Sequence, residues 1–254
     1  MSNKLEKLLS EVDELIDDYK GEEAHSVLLQ NFDLKVGDPK VVERFAKCFY
    51  ILANCEDDQQ KRAELLTEGR GFAVRGLATE PENFELLKYA AALTGVLAEQ
   101  SEETRERINL GHEFKNYLDK ALTIESNDLM LLHMRGRFHY HIASIGILER
   151  GVAALFFRTI PSASYEDALR DFLAMEEQTQ ETESAVDNLL YIGKCYKQMG
   201  QKEKAIEYLS KIATGIPVDS MDAEHMSEAR DLLLDLDPNF QFDDEEESSE
   251  AITQ

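Results

Sequence analysis

The sequence predicts an all-α protein built from antiparallel helix pairs, and three observations support this. Leu, Ala, Glu and Lys recur along the 254 residues, whereas glycine (13) and proline (5) are few. Val, Ile and Thr do not alternate with polar residues over the length of a strand. Small residues and helix terminators return at a regular interval, which indicates internal repeats.

The clearest repeat unit is the stretch LLYIGKCYKQMGQKEKAIEYLSKIATGIP. Small residues at Gly193 and Ala205 allow two helices to cross closely, Gly200 ends the first helix, and Pro217 stops the second. The unit follows the tetratricopeptide pattern of about 34 residues at these positions: Leu189, Ile192, Gly193, Tyr196, Gly200, Ala205, Leu209, Ile212 and Pro217. The predicted fold is therefore a tetratricopeptide-like superhelix of antiparallel helix pairs.

Three earlier units are longer but periodic. The small residue of the first helix recurs as Ala46, Ala91 and Gly136, with 45 residues between successive members. Pro81 and Ser126, where helices are expected to end, are also 45 residues apart. The third unit carries an insertion at residues 147–166, which ordinary tetratricopeptide repeats lack.

Periodicity and terminators give a helix map and a domain organisation. Residues 1–35 form N-terminal capping helices, residues 36–238 form the repeat domain, and residues 239–254 form an acidic disordered tail. Helices are predicted at 3–20, 22–31, 39–54, 58–79, 83–100, 102–124, 128–145, 162–179, 184–199, 202–214 and 221–236. Stacked helix pairs need atypical caps at both ends, and the first and last helices fit that role.

The charge balance restricts the function. The chain has 51 acidic and 27 basic side chains, a net charge of −24. Generic binding to nucleic acid requires a basic footprint, so we expect no nucleic-acid partner. Docking of the whole surface on an anionic membrane is disfavoured for the same reason. No targeting or transmembrane segment is visible, and a cytosolic protein is predicted.

Cysteine usage is consistent with that compartment. The three cysteines form no Cys-x-x-Cys pair, and their odd number fits no closed set of disulfides. We interpret them as reduced thiols buried in helices.

One segment departs from the acidic composition. Residues 129–165 contain four arginines against one acid, Glu149, and three of the six histidines. In a tetratricopeptide array, positions 2, 5, 9, 12 and 13 of the first helix of each pair face the concave groove. The register places a basic residue at position 9 in three units: Lys47, Arg137 and Lys194.

These positions predict a basic groove for an acidic ligand. Arginine and lysine suit carboxylates or phosphates. The alternative is that the charges are solvated and pair with Glu and Asp of neighbouring helices. The candidate ligand-binding residues are Lys47, Lys88, His133, Arg137, Tyr140, His141, Lys194 and Lys197.

The insertion and its flanks carry a resemblance to a known family. The motif runs through Gly136–Arg137, Leu148–Glu149–Arg150, Ala153–Ala154–Leu155, Pro161–Ser162, Tyr165 and Glu166–Ala168. It resembles the regulator of microtubule dynamics proteins over about residues 35–235. The resemblance implies a tetratricopeptide-like helical domain, association with microtubules and the spindle, and a role in chromosome segregation. Its characteristic residues here are Gly136, Glu149, Arg150, Pro161 and Tyr165.

Two functions remain open on the sequence alone. The first is a non-enzymatic, microtubule-associated scaffold of the cytoplasm, cytoskeleton and spindle, whose groove binds tubulin tails or an acidic segment of a partner. The second is an anionic phospholipid-binding or transfer module, with the headgroup on Arg137 and the acyl chains against Ala153–Phe157. In addition, the acidic segment Asp243–Glu250 resembles an acidic tubulin tail and is a candidate to occupy the groove in cis.

Other chemistries are not supported. The sequence has no Gly-Lys-Ser/Thr phosphate loop, HExxH or GxSxG motif, so an enzyme is not expected. His133, His139 and His141 do not share one side of a helix, so we predict neither a metal site nor a cofactor. Lys47 and Tyr89 stand where a chaperone-tail clamp needs asparagines, which excludes that type of adaptor.

Overall fold

Helices account for the regular structure in the described part of the chain. The computed structural model describes residues 2–145, 162–179 and 185–242. The helices are α1 (Ser2–Asp17), α2 (Gly21–Asn31), α3 (Pro39–Asn54), α4 (Gln59–Leu77), α5 (Phe84–Gln100), α6 (Thr104–Ile124), α7 (Leu129–Ser144), α8 (Tyr165–Glu176), α9 (Val186–Gln198), α10 (Lys202–Ala213) and α11 (Ser220–Leu236). The all-α prediction is confirmed, and each predicted helix end lies within three residues of the observed one.

Local sequence sets many of these helix ends. The side chains of Asp38, Asp58 and Asn83 accept hydrogen bonds from backbone N–H groups in the first turns of α3, α4 and α5. Such caps satisfy donors that have no partner inside the helix. After α9, Gly200 adopts a φ of +72°, a left-handed conformation that favours glycine and ends the helix. This agrees with the role predicted for Gly200.

The chain divides into two compact units, Met1–Leu131 and Leu132–Gln254. In the first unit, α1 and α2 pack on α3, and α3 packs on α4 and α5. Its centre is aromatic, since the rings of Phe45 and Phe72 stack with their centroids 4.5 Å apart, next to Phe49. The packing of α1 and α2 on α3 joins the N-terminal helices to the repeats.

In the second unit, α9 packs on α8, α10 and α11. A Cβ atom on Gly193 would lie 2.6 Å from Cδ2 of Leu209, and one on Gly136 would lie 2.6 Å from Cε1 of Phe172. Both glycines therefore stand where two helices cross closely, as the repeat pattern predicts.

The cysteines only partly follow the prediction. Cys48 and Cys195 are buried, and burial raises the pKa of each thiol to about 12. Cys55 follows the last turn of α3 and is exposed, so the prediction of a helix-buried thiol is wrong there. No disulfide joins these three residues.

Two parts of the sequence interpretation fall largely outside the described residues. Most of the insertion 147–166 and most of the tail 239–254 belong to segments that are not described. Tyr165 and Glu166, at the end of that insertion, form the start of α8. Within the described helices, none combines the length and the apolar character that crossing a membrane requires.

Candidate functional site

The first unit contains a row of alternating charges. Nζ of Lys47 lies 3.0 Å from Oε1 of Glu43 and 2.8 Å from Oε2 of Glu85. Nζ of Lys88 lies 2.9 Å from Oε1 of Glu85 and 3.1 Å from Oδ2 of Asp128. Burial alone would raise the pKa of Glu85, but hydrogen bonds from Lys47 and Lys88 lower it. We call these five residues the charge row; in it the acids outnumber the bases.

Two tyrosines border the charge row. Nζ of Lys47 lies 5.6 Å from the centroid of the Tyr89 ring, within the range of a cation–π contact. The Tyr50 ring stands edge-on to Tyr89, with centroids 5.9 Å apart and the planes at 75°. Burial, together with the charge of Glu85, raises the pKa of Tyr89.

In the second unit, four of the predicted groove residues meet around Tyr191. Cζ of Arg137 lies 5.1 Å from the centroid of the Tyr191 ring, and Nζ of Lys194 lies 4.7 Å from it. The Tyr140 ring stands edge-on to Tyr191, at 5.3 Å and 82°. The Tyr191 hydroxyl lies 3.3 Å from Nε2 of His141. We call these five residues the Tyr191 cluster.

The second unit thus repeats an arrangement of the first. In each, a basic residue at position 9 and a tyrosine at position 12 contact a tyrosine at position 6 of the first helix in the next pair. Arg137 and Tyr140 follow Lys47 and Tyr50 by 90 residues, and Tyr191 follows Tyr89 by 102. The sequence analysis considered Tyr89 only as a departure from the chaperone-tail clamp and did not consider Tyr191, so neither position 6 tyrosine was among the predicted groove residues. Their recurrence after a basic position 9 was a usable signal.

His133 lies inside the helix interface and not at the surface. Its residue exposure is 7%. Its Nε2 atom lies 2.8 Å from Oδ2 of Asp187, and its Nδ1 atom lies 3.2 Å from Oδ1 of Asn188. Burial on its own would raise the pKa of Asp187, but the charges of His133 and Arg137 lower it well below its usual range. These contacts connect α7 to the start of α9.

The three histidines of α7 have three different neighbours. Nδ1 of His139 lies 3.0 Å from Oδ2 of Asp171, a buried carboxylate that also accepts a hydrogen bond from Arg135 at 2.7 Å. His133 faces Asp187, and His141 faces Tyr191. Across residues 2–145, 162–179 and 185–242, no group of His, Cys, Asp and Glu is arranged to hold a metal ion.

The groove lysines of α9 pair with α11. Nζ of Lys194 lies 2.7 Å from Oε1 of Glu228, and Nζ of Lys197 lies 2.6 Å from Oδ2 of Asp235. The hydrogen bond from Lys197 lowers the pKa of Asp235. The lysine side chains are 17% and 26% exposed, whereas the carboxylate side chains are 43% and 69% exposed. The four predicted groove lysines are thus paired with acids, which the alternative interpretation of the basic groove expected, although their side chains are only 13–26% exposed.

The family-like motif is only partly described. Gly136 packs against Phe172, and the Tyr165 ring lies 5.3 Å from the Tyr140 ring of the Tyr191 cluster. Glu149, Arg150 and Pro161 lie outside the described residues.

Comparisons with known proteins agree on one family. Residues 8–237 match the sequence profile described as regulator of microtubule dynamics protein 1-3. Regulator of microtubule dynamics protein 1 of Caenorhabditis elegans is 35% identical over 174 residues, which cover 68% of this chain and 75% of the relative. Regulator of microtubule dynamics protein 3 of Xenopus laevis is 31% identical over 208 residues, and protein 2 of Homo sapiens is 26% identical over 233.

The last two matches span 81% and 91% of this chain but only 44% and 56% of the relatives. The chain therefore corresponds to about half the length of each of these two relatives. Among solved structures, the crystal structure of a thermophilic TPR protein from Thermus thermophilus matches with a TM-score of 0.56 and 13% identity. That match covers 89% of this chain and 98% of the other. It supports the tetratricopeptide-like fold.

Proposed function

This chain belongs to the regulator of microtubule dynamics family, and on that premise we propose that it is a non-enzymatic, microtubule-associated scaffold. In this proposal it acts in spindle function and chromosome segregation, and it binds an acidic segment of tubulin or of a partner protein. The names of its relatives support a role linked to microtubules and a cytoskeletal location. The acidic ligand is our inference from the groove.

We assign ligand binding to the face of α9 that carries Lys194 and Lys197, next to the Tyr191 cluster. The observation that carries this assignment is the setting of Lys194. Its amine lies over the rings of Tyr191 and Tyr140, at 4.7 and 5.5 Å, while the side chain of its acidic neighbour Glu228 is 43% exposed. Part of the Glu228 side chain stays in contact with water, which limits the contribution of this ion pair to stability. A ligand carboxylate can therefore replace Glu228 at a small cost in free energy.

The charge row of the first unit has a structural role in this proposal. Lys47 and Lys88 each contact two carboxylates, and those carboxylate side chains are 15–31% exposed, against 43% and 69% for the acids on α11. An added acidic ligand would meet three carboxylates there. We therefore propose that Lys47 links α3 to α5 and that Lys88 links α5 to Asp128.

The overall charge predicts how binding depends on salt. A chain of net charge −24 is repelled by an acidic surface, so attraction must come from a local group of cations. Salt at physiological strength screens charges beyond about 8 Å. We expect weak binding that falls as the salt concentration rises.

Co-sedimentation with polymerised tubulin at low and moderate salt tests the proposal. The parent should bind at low salt, and Lys194→Glu with Lys197→Glu should abolish binding. Lys202→Glu with Lys211→Glu is the matched control, because it changes the net charge equally at exposed sites on α10. No binding of the parent at any salt would contradict the microtubule role. Binding that the site variant retains would contradict the assigned face.

The lipid-binding alternative receives no support from the described residues. Its apolar element, Ala153–Phe157, lies outside them. Two described surface depressions, of about 440 and 260 Å³, are lined mainly by acidic and other polar residues between 80 and 83 and between 56 and 68. Acidic walls disfavour an anionic headgroup.

A further inference from the structure

The acidic face of α11 matches the basic face of α9. Glu228 and Asp235 are seven residues apart, so they lie on the same side of α11, two turns from each other. They meet Lys194 and Lys197, which lie one turn apart on α9. Two carboxylates of the chain itself therefore stand where the proposed function places the carboxylates of a ligand.

The backbone of α11 is held independently of these two ion pairs. Met226, Ala229 and Leu233 are buried, with 3%, 0% and 0% exposure, and Ala229 and Leu233 belong to the core of the second unit. Nε of Arg230 also donates a hydrogen bond to the carbonyl oxygen of Ala213 at the end of α10. Glu228 and Asp235 can therefore turn away by side-chain rotation while the helix stays in place.

The lysine side chains are less exposed to solvent than the carboxylates they contact. Nζ of Lys194 also lies over two tyrosine rings. Cations that are less exposed than the anions they contact form a site in which the anion is the more readily exchanged component.

We propose that Glu228 and Asp235 are internal competitors of the acidic ligand and thereby determine its affinity and spacing. This inference rests on the proposed function. A ligand carboxylate replaces an existing partner of the lysine. Its contribution to the binding free energy is therefore only the difference between two similar ion pairs. A segment with a single carboxylate should therefore bind weakly, and a segment that replaces both Glu228 and Asp235 should bind more tightly.

The spacing of the competitors defines the ligand further. Seven residues of α-helix span about 10 Å. In the extended polyproline II conformation three residues make one turn and cover about 9 Å, so side chains three positions apart lie on the same side. The partner that fits is an extended acidic segment with carboxylates three residues apart.

Peptide binding measured by calorimetry tests the inference. The probe is a synthetic peptide with glutamate at every third position and glycine between, compared with a peptide of equal composition whose glutamates are adjacent. The site variant is Glu228→Gln with Asp235→Asn. The matched control is Glu203→Gln with Asp231→Asn, which removes the same charge from exposed positions on α10 and α11.

The site variant should bind the spaced peptide at least about threefold more tightly than the control does, since two competing ion pairs are gone. The parent should prefer the spaced peptide to the adjacent one. An equal gain in peptide affinity in the site variant and the control would show that the gain comes from the change in net charge, and it would overturn the inference. Parent binding without a gain in the site variant would overturn the inference alone. An absence of peptide binding in the parent and in every variant would overturn the acidic-ligand proposal as well.

Discussion

At the residue scale, the candidate site depends on tyrosines that cations approach over the ring face. Tyr191 is contacted by Arg137 and Lys194, and Tyr89 is contacted by Lys47. A ring face carries partial negative charge, so it holds a cation without neutralising it. The close helix crossing beside Tyr191 requires a residue without a side chain, because Phe172, which stacks on Tyr191, fills the space. Gly136, next to Arg137, is such a residue.

Gly136→Ala should destabilise the second unit. Its Cβ would lie 2.6–2.9 Å from three atoms of the Phe172 ring, which is fully buried. Overpacking of this kind costs about 1–3 kcal/mol, which exceeds the gain in helix propensity of about 1 kcal/mol. Urea unfolding followed by circular dichroism measures the change. Gly111→Ala on α6 is the control; its Cβ meets nothing within 4 Å among the described residues, and it should stabilise. Equal stability of Gly136→Ala and the parent would contradict the close crossing.

At the element scale, helix ends were predictable and pairing between helices was not. Caps such as Asp38 and Asn83 act on their own first turn, so nearby sequence defines where a helix begins. The contacts of Lys194 with Glu228 and of Lys197 with Asp235 join residues 34 and 38 positions apart. They depend on how α9 and α11 pack, which the local pattern does not contain. The register therefore located the cations, but the acids that neutralise them came only from the structure.

Docking of α2 on α3 should weaken in acid. The His25 ring stands edge-on to Phe49 at 4.9 Å, and burial lowers its pKa, although Glu68 partly opposes this. The folded state therefore keeps His25 neutral, while the unfolded chain takes up a proton near the usual value of about 6.5. Stability contributed by the neutral ring is present above that pH and is lost as the pH falls below it.

His25→Leu should therefore reduce the fall in the urea midpoint between pH 7.5 and 5.5. His225 also has a pKa lowered by burial, so part of the fall should persist. The control is His112→Leu at an exposed position on α6, which should leave the fall in the urea midpoint unchanged. A fall in His25→Leu as steep as in the parent would show that His25 does not govern this dependence.

At the scale of the whole molecule, the acidic composition and the proposed acidic ligand are compatible. The net charge of −24 sets the field at long range, whereas Arg137, Lys194 and Lys197 act at contact distance. Glu228 and Asp235 already pair with two of these cations, which disfavours the binding of anions that do not fit. Each compact unit holds one copy of the tyrosine and cation arrangement, and we assign ligand binding to the copy in the second unit.

Zero-length carbodiimide cross-linking of the chain to polymerised tubulin, read by mass spectrometry, tests whether Lys194 and Lys197 contact acidic groups of tubulin. The reagent joins a lysine amine to a carboxylate only where the two groups are in contact. If this face of α9 binds the acidic segment, tubulin cross-links at Lys194 and Lys197 should exceed those at the exposed Lys202 and Lys211 and should increase in the Glu228→Gln, Asp235→Asn variant. Tubulin cross-links confined to other lysines, with none at Lys194 or Lys197, would contradict the assignment of binding to this face.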